Sequence, residues 1–259
     1  MNHHELKKKL ARLALGDIKY FESIGSTNDE ALAWAATDAP DLSLVISDEQ
    51  TAGRGRLDRK WFTPKGTALA FSLILRPTTE EKPHLSRIVG LAALAVAESL
   101  RGRGITTQVK WPNDVLIQDQ KVSGILVESV WLGEEIDRVV IGIGVNVLKG
   151  SVPPAENLLF PATSIEDHSG ETLTREDVLY EILAAFIELR PHTTSDEFII
   201  QWESLLAFRD KQVQVEQGDV PPIVGQINGL DADGSLRLIN EHGETVTVRF
   251  GDVRVRPLA

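Results

Sequence analysis

The spacing of apolar residues changes character along this chain. In the first hundred residues, strand-like and helix-like periods alternate. ELKKKLARLA, residues 5–14, puts Leu6, Leu10 and Leu13 on one side of a short helix and its lysines on a solvated face. His3 and His4, ahead of it, read as a disordered end. A strand is expected at Ile18–Phe21, a helix at Asp29–Ala36 and a strand at Ser43–Asp48. Another strand, Thr67–Leu75, ends before Pro77, and a long helix over Leu85–Arg101 stops at Gly102 and Gly104.

Past residue 105 the period becomes that of strands. TTQVKW, DVLIQ, KVSGILVESVWL and DRVVIGIGVNV are β-branched, apolar and separated by polar turns, which predicts adjacent antiparallel strands. Residues 149–171, with Pro153, Pro154 and Pro161, read as a long loop. Thr174, with Asp177 three residues on, caps a helix striped by Val178, Leu179, Ile182, Leu183 and Phe186. Ser195 caps another, running to about Phe208. After Arg209, QVQVE, IVGQINGL, SLRLIN, ETVTVRF and VRVRP alternate as short strands, with turns at Asp233-Gly234 and His242-Gly243. That texture predicts a small β-barrel. The expected class is α+β: a mixed or antiparallel sheet with packed helices over residues 1–208, and an all-β unit over residues 209–259.

Composition narrows the function. The chain has 259 residues, with 38 Asp+Glu against 27 Lys+Arg, a formal charge of -11. That argues against non-specific binding to nucleic acid or an anionic membrane. The absence of cysteine removes disulfides, thiolate zinc sites and cysteine nucleophiles, and it fits cytoplasmic residence. No apolar run approaches the roughly 18 residues of a membrane span, and LARLAL is too short for a signal-peptide core. Any polyanion site must be local.

TAGRGRLDRKWFTP, Thr51–Pro64, is such a place. It gathers Arg54, Arg56, Arg59 and Lys60 around Gly53 and Gly55, between two apolar strands. Guanidinium forks bind phosphate and carboxylate oxygens, and glycine lets the backbone come close to an anion. A solvated basic loop is the plainer reading; the flanking strands and Trp61-Phe62 favour a bound small phosphate. No G-x-x-x-x-G-K-[ST] loop is present. GIGVNV, Gly142–Val147, opens like a dinucleotide fingerprint but ends in Val147, with a Pro-rich loop where a helix should begin.

Three further stretches hold candidate chemistry. In KWPND, Pro112 restricts Trp111 to extended backbone, so Lys110 sits at a strand end beside a rigid turn. It is either a surface lysine at a sheet edge or an ammonium placed between two anions. In SIGSTND, Ser26 or Thr27 caps the following helix, and the same hydroxyls can contact a polar ligand. Glu128, in an apolar strand, is paired, exposed at an edge or bound to a metal. The histidines show no zinc spacing, and no Ser/His/Asp arrangement is supported.

In order along the chain stand GSTND, EQTAGRGRLDRKW, VKWPNDVLI, KVSGILVES and VVIGIGVNV. Together they resemble the biotin protein ligases, strongly over Ile18–Val147 and by layout only beyond it. The resemblance implies a class II aminoacyl-tRNA synthetase-like catalytic fold with a C-terminal SH3-like β-barrel. It implies a two-step, ATP-dependent ligase: biotin becomes biotinyl-5'-AMP with loss of pyrophosphate, then a lysine of a biotin carboxyl carrier domain takes the biotinyl group. The implied biotin-binding positions are Ser26, Thr27, Asn28, Gln50, Gly53, Arg54, Arg56, Lys110, Gly124, Gly142 and Gly144, with Ser26, Thr27 and Gln50 at the ureido ring. The implied ATP and adenylate positions are Arg54, Arg56, Arg59, Trp61, Lys110, Asn113, Lys121 and Asn146, the last beside adenine. Lys110 and Arg56 are the implied catalytic residues. Mg²⁺ is expected with ATP, and a homodimer is compatible. The physics agrees: a carboxylate and a triphosphate repel each other unless cations are already in place.

Two departures matter. The family loop reads GRGR-x-GR-x-W, whereas Asp58 stands here where glycine is usual; it tolerates positive φ and could pair with Arg56 or Arg59. Few residues precede the core, so a ligase without the repressor activity of DNA-binding members is expected. The nearest rival is a lipoate–protein ligase, which would need an apolar pocket where this chain offers Ser26, Thr27 and Gln50. A cysteine-dependent octanoyltransferase is excluded by the cysteine count. A biotin or nucleotide sensor would gain little from Lys110 and the arginine loop, and a nucleic-acid binder conflicts with the net charge.

Overall fold

Strand alternation gives the main sheet two unlike faces. The computed structural model describes every residue except 2, 58, 218–219, 250–252 and 259; for 220, 253 and 254 it describes the backbone alone. Seven strands form the sheet: β1 (Ile18–Phe21), β2 (Ser43–Ser47), β3 (Ala68–Leu75), β4 (Gln108–Lys110), β5 (Asp114–Ile117), β6 (Gln120–Leu132) and β7 (Glu135–Asn146). Their spatial order is β1-β2-β3-β7-β6-β5-β4. β1 and β2 are parallel, as the crossover through a helix between them requires, and every other pair is antiparallel.

On one face, Leu69, Phe71, Leu73 and Leu75 of β3 lie beside Val139, Ile141, Ile143 and Val145 of β7 in the large core. Helix α3 (Ile88–Arg101) packs there, hydrophobic almost all round because α4 (Arg175–Leu189) covers its back. The opposite face carries the alternate residues. Towards β1 it is closed by α2 (Thr27–Ala35), whose Ala31 and Ala35 meet Val45, Ile74 and Val140. Beyond α2 the residues are small, and the face is left open as a floor.

The second sheet is antiparallel, of five strands: β8 (Gln212–Gln217), β9 (Val220–Leu230), β10 (Leu236–Ile239), β11 (Thr245–Val248) and β12 (Val253–Pro257), in order β11-β10-β9-β8-β12. It forms the SH3-like barrel expected from the sequence. It is fastened to the first unit by buried polar contacts. Arg87 donates from Nε to the Ala232 carbonyl at 2.8 Å and from its guanidinium to the Thr193 and Ser195 carbonyls, and Trp111 Nε1 donates to Gly234 O at 2.9 Å. Val213, Val215, Leu236 and Val255 belong to the same continuous core as α3.

Several sequence expectations shift. His3 and His4 are not a disordered end: α1 spans His3–Leu10, and His3 stacks on Tyr20. The helix expected from Leu85 begins as a 3₁₀ turn over Lys82–Arg87 before α3. The last helix, α5 (Asp196–Ser204), stops short of Phe208, because residues 205–207 run beside β4 instead, Val109 N donating to Leu205 O at 2.7 Å. The caps at Thr174 and Ser195 are present, each side chain accepting from the backbone N–H three residues on.

Candidate active site

Register places one row of residues across the open floor: Lys110 of β4, Asp114 of β5, Gly124 of β6, Gly144 of β7 and Ala70 of β3. The next row is Leu126, Gly142 and Ser72. The glycines matter because other groups rest on their backbone. A Cβ at Gly144 would overlap the Trp61 indole, and one at Gly142 would overlap the Asn28 amide. Over this floor lies a cavity of ≈ 390 Å³. That is the size of a small-ligand site.

One end of the cavity is polar. Ser26, Thr27 and Asn28 begin α2 and are buried. Gln50 Oε1 accepts from the Thr27 amide at 2.8 Å and from Thr27 Oγ1 at 3.1 Å, while Gln50 Nε2 donates to Thr63 Oγ1. Ser72 Oγ donates to Asn28 Oδ1 at 2.6 Å. The capping expectation needs correcting. Ser26 holds the N-cap position in extended backbone, yet its side chain makes no cap hydrogen bond, and Thr27 lies inside the helix. Both hydroxyls belong to the cavity wall.

The basic loop crosses the cavity. Arg54 forms a two-point pair with Glu128, NH1 to Oε1 at 3.0 Å and NH2 to Oε2 at 2.7 Å, and its NH2 also reaches Asp29. The Glu128 hydrogen bond raises the Arg54 pKa above its ordinary value, against burial. Glu128 is thus the paired carboxylate among the three readings open to it. Arg56 NH1 donates to Asn113 Oδ1 at 3.0 Å, and Asn113 Nδ2 donates to Ile125 O. Arg59 and Trp61 also line the cavity. Gly53 stands behind the wall, where a Cβ would run into Trp61 O and Gln50. Asp58 lies outside the described residues.

The far end is cationic and partly buried. Lys110 is 6% exposed, so it is not a surface lysine. It is the last residue of β4, directly before the cis Trp111–Pro112 peptide. Burial pushes its pKa down to about 8; Asp114 opposes the shift, and Lys121, Arg256 and Arg59 add to it. Burial also works against the Asp114 carboxylate, but Lys121 at 2.6 Å and Lys110 outweigh it and hold that pKa below the usual range. Lys121 Nζ lies 5.3 Å from the Trp61 ring centroid. Asn146 continues the Gly142, Gly144 alternation on β7 and donates to Thr163 O. Every biotin, ATP or catalytic position implied by the resemblance, except Gly53, lines a single cavity, whereas Glu128 lies behind its wall.

The sequence reading missed two walls. Asn157, Leu158, Leu159 and Phe160 of the proline-bounded loop form one, with Phe160 presenting its ring to Lys110 Nζ at 4.7 Å. Val255 and Arg256 of β12 form the other. The apolar run Leu158, Leu159 and Phe160 before Pro161, inside a loop, was a weak signal; VRVRP gave none, because Arg256 reads as a solvated strand position.

Among the described residues, seven cations, Arg54, Arg56, Arg59, Lys60, Lys110, Lys121 and Arg256, line this cavity against one carboxylate, Asp114. Such a site, on a mixed sheet with a polar amide corner, suits a ligand that carries negative charge. Residues 20–146 match the Biotin/lipoate A/B protein ligase family. The chain is 37% identical to biotin--[acetyl-CoA-carboxylase] ligase of Paracoccus denitrificans, over 85% of its own length and 93% of the relative's. It is 41% identical to the bifunctional ligase/repressor BirA of Bacillus spizizenii, over 86% of its own length and 70% of the relative's. A solved biotin protein ligase from Aquifex aeolicus, in complex with biotin and ATP, superposes with a TM-score of 0.80 at 29% identity, covering 93% of this chain and 99% of that one. The chain belongs to this family and is an enzyme of the biotin--[acetyl-CoA-carboxylase] ligase type.

Proposed function

We propose that this chain joins biotin to ATP as biotinyl-5'-AMP and passes the biotinyl group to a lysine of a biotin carboxyl carrier domain. One observation carries the reading: a nearly buried ammonium, Lys110, shares a cavity with two loop arginines and the Thr27–Gln50 amide corner. The corner offers donors and acceptors for a ureido ring, which an apolar lipoate dithiolane would leave unpaired. The cations lower the cost of bringing a carboxylate to a phosphate.

In the first step a biotin carboxylate oxygen attacks the α-phosphorus of ATP and the bond to pyrophosphate breaks. Lys110 and Arg56 stand beside the charge that develops. In the second, the carrier lysine's neutral amine attacks the carbonyl, the bond to AMP breaks and the amine loses its proton to water. The described residues include no group of three or more acidic or histidine side chains that could cage a metal, and Asp114 is already paired with two lysines. Mg²⁺ is expected to arrive with ATP, bound to the nucleotide's phosphates.

The test is to incubate the protein with ATP, Mg²⁺, a carrier domain and either biotin or lipoate. A biotinyl mass on one carrier lysine is expected with biotin. Equal or greater addition with lipoate would overturn the assignment.

A further inference from the structure

Glu128 is not on the cavity wall, yet it joins the two halves of the site. Its Oε2 accepts from Asn28 Nδ2 at 2.8 Å and from Arg54 NH2 at 2.7 Å, and its Oε1 accepts from Arg54 NH1. The first bond fixes which way the Asn28 amide faces: Nδ2 points to Glu128, leaving Oδ1 to accept from Ser72. The second fastens the middle of the basic loop. The base of the same loop is closed by Gln50, whose Nε2 donates to Thr63 and whose Oε1 is held by Thr27. One carboxylate on β6 thus ties the polar corner to the arginine that arches over it.

We propose that Glu128 is a positioning residue that holds the Gly-Arg loop over the cavity before ligand arrives; its place in catalysis rests on the ligase reading above. A two-point guanidinium–carboxylate pair fixes orientation as well as distance. Asp29, the other anion on Arg54, is 59% exposed and makes one contact, so it holds the loop less firmly. A loop already closed costs a ligand little to order. A loop that has lost its anchor reduces apparent affinity by the fraction of time it spends open. Glutamine at 128 keeps the size but turns an N–H₂ toward donors on Arg54 or Asn28, so it unfastens at least one of them.

The first measurement is hydrogen exchange of the ligand-free protein over residues 51–57, which needs no turnover. Glu128→Gln should exchange about tenfold faster there than wild type, with α3 and α4 unchanged. In a cycle with Arg54→Gln, the double variant should exchange no faster than either single one, because both act through one pair. In steady-state turnover Glu128→Gln should raise the KM for biotin about tenfold and leave kcat within about twofold, since bound ligand recloses the loop. Glu128→Asp, which keeps the charge on a shorter arm, should fall between the two proteins and serves if the glutamine variant folds poorly. Equal loop exchange in wild type and both variants would overturn the proposal, as would additive effects in the cycle or a fall in kcat at unchanged KM. A wild type that turns nothing over would sink the ligase reading and leave the exchange result to judge Glu128 alone.

Discussion

Lys110 Nζ stands 3.7 Å from Asp114 Oδ2, the two residues facing each other in register across β4 and β5. The pair explains how a nearly buried lysine keeps a usable charge. Burial drives its pKa down to about 8, and Asp114 is the neighbour that resists. The site thus holds its lysine close to titration, where an arriving anion favours the protonated form.

A pH dependence follows. In the proposed reaction the ammonium is the working form, and it is lost as pH rises through the folded pKa of about 8. kcat/KM for biotin, followed by pyrophosphate release, should fall above that value, because kcat/KM reports the free enzyme. Asp114→Asn should move the fall to lower pH. Arg256→Ala should move it to higher pH, since Arg256 disfavours the charge. A profile flat to about pH 10 in all three proteins would refute the role given to Lys110.

Stability should move against activity. Lys110 is charged in both folded and unfolded states below about pH 8, and there the fold bears the burial cost. The cost is relieved as pH climbs from about 8 towards the unfolded value of 10.5. Lys110→Met should therefore melt higher than wild type at neutral pH, by on the order of 1–3 kcal/mol, with the gap narrowing in alkaline buffer. Calorimetry at two pH values checks both the sign and the trend.

Gly144→Ala tests the floor. The added methyl has no room under the Trp61 indole, so the ring must lift away from Lys121. Activity should drop by about 10- to 100-fold while the melting temperature moves little, because the change lies under an adaptable loop rather than in the core. Tryptophan fluorescence should shift to the red. Unchanged fluorescence with full activity would contradict this placement of Trp61.

Arg56→Gly removes both the loop cation and its anchor on Asn113. The expected outcome is faster escape of the activated intermediate, seen as biotin on lysines of an unrelated bystander protein. Asn113→Ala should reproduce part of this escape. Bystander labelling at the wild-type level in both variants would count against a loop that retains the intermediate.

Much of this site could be read from the sequence, because its chemistry is concentrated in short segments. Arg54 and Arg56 stand out as a basic loop, and they line the cavity; the alternation of Gly142, Gly144 and Asn146 is what a strand shows when one face must stay low. Other features depended on distance in space. Glu128 looked solitary because its partners, Asn28 and Arg54, come from two other elements. Arg256 enters only because the barrel docks through Arg87 and Trp111. For Ser26 and Thr27 the sequence leaves capping and ligand contact side by side, because a hydroxyl before a helix serves either; the packing of α2 on β3 and β7 turns that end into the cavity.

The most direct test is single-turnover release of pyrophosphate from ATP with biotin present and no acceptor. Wild type should release about one equivalent per site only when biotin is added, and Lys110→Met should do so on the order of 10²- to 10³-fold more slowly. Release that ignores biotin, or a Lys110→Met variant as fast as wild type, would contradict the claim that this buried ammonium brings the two anions together.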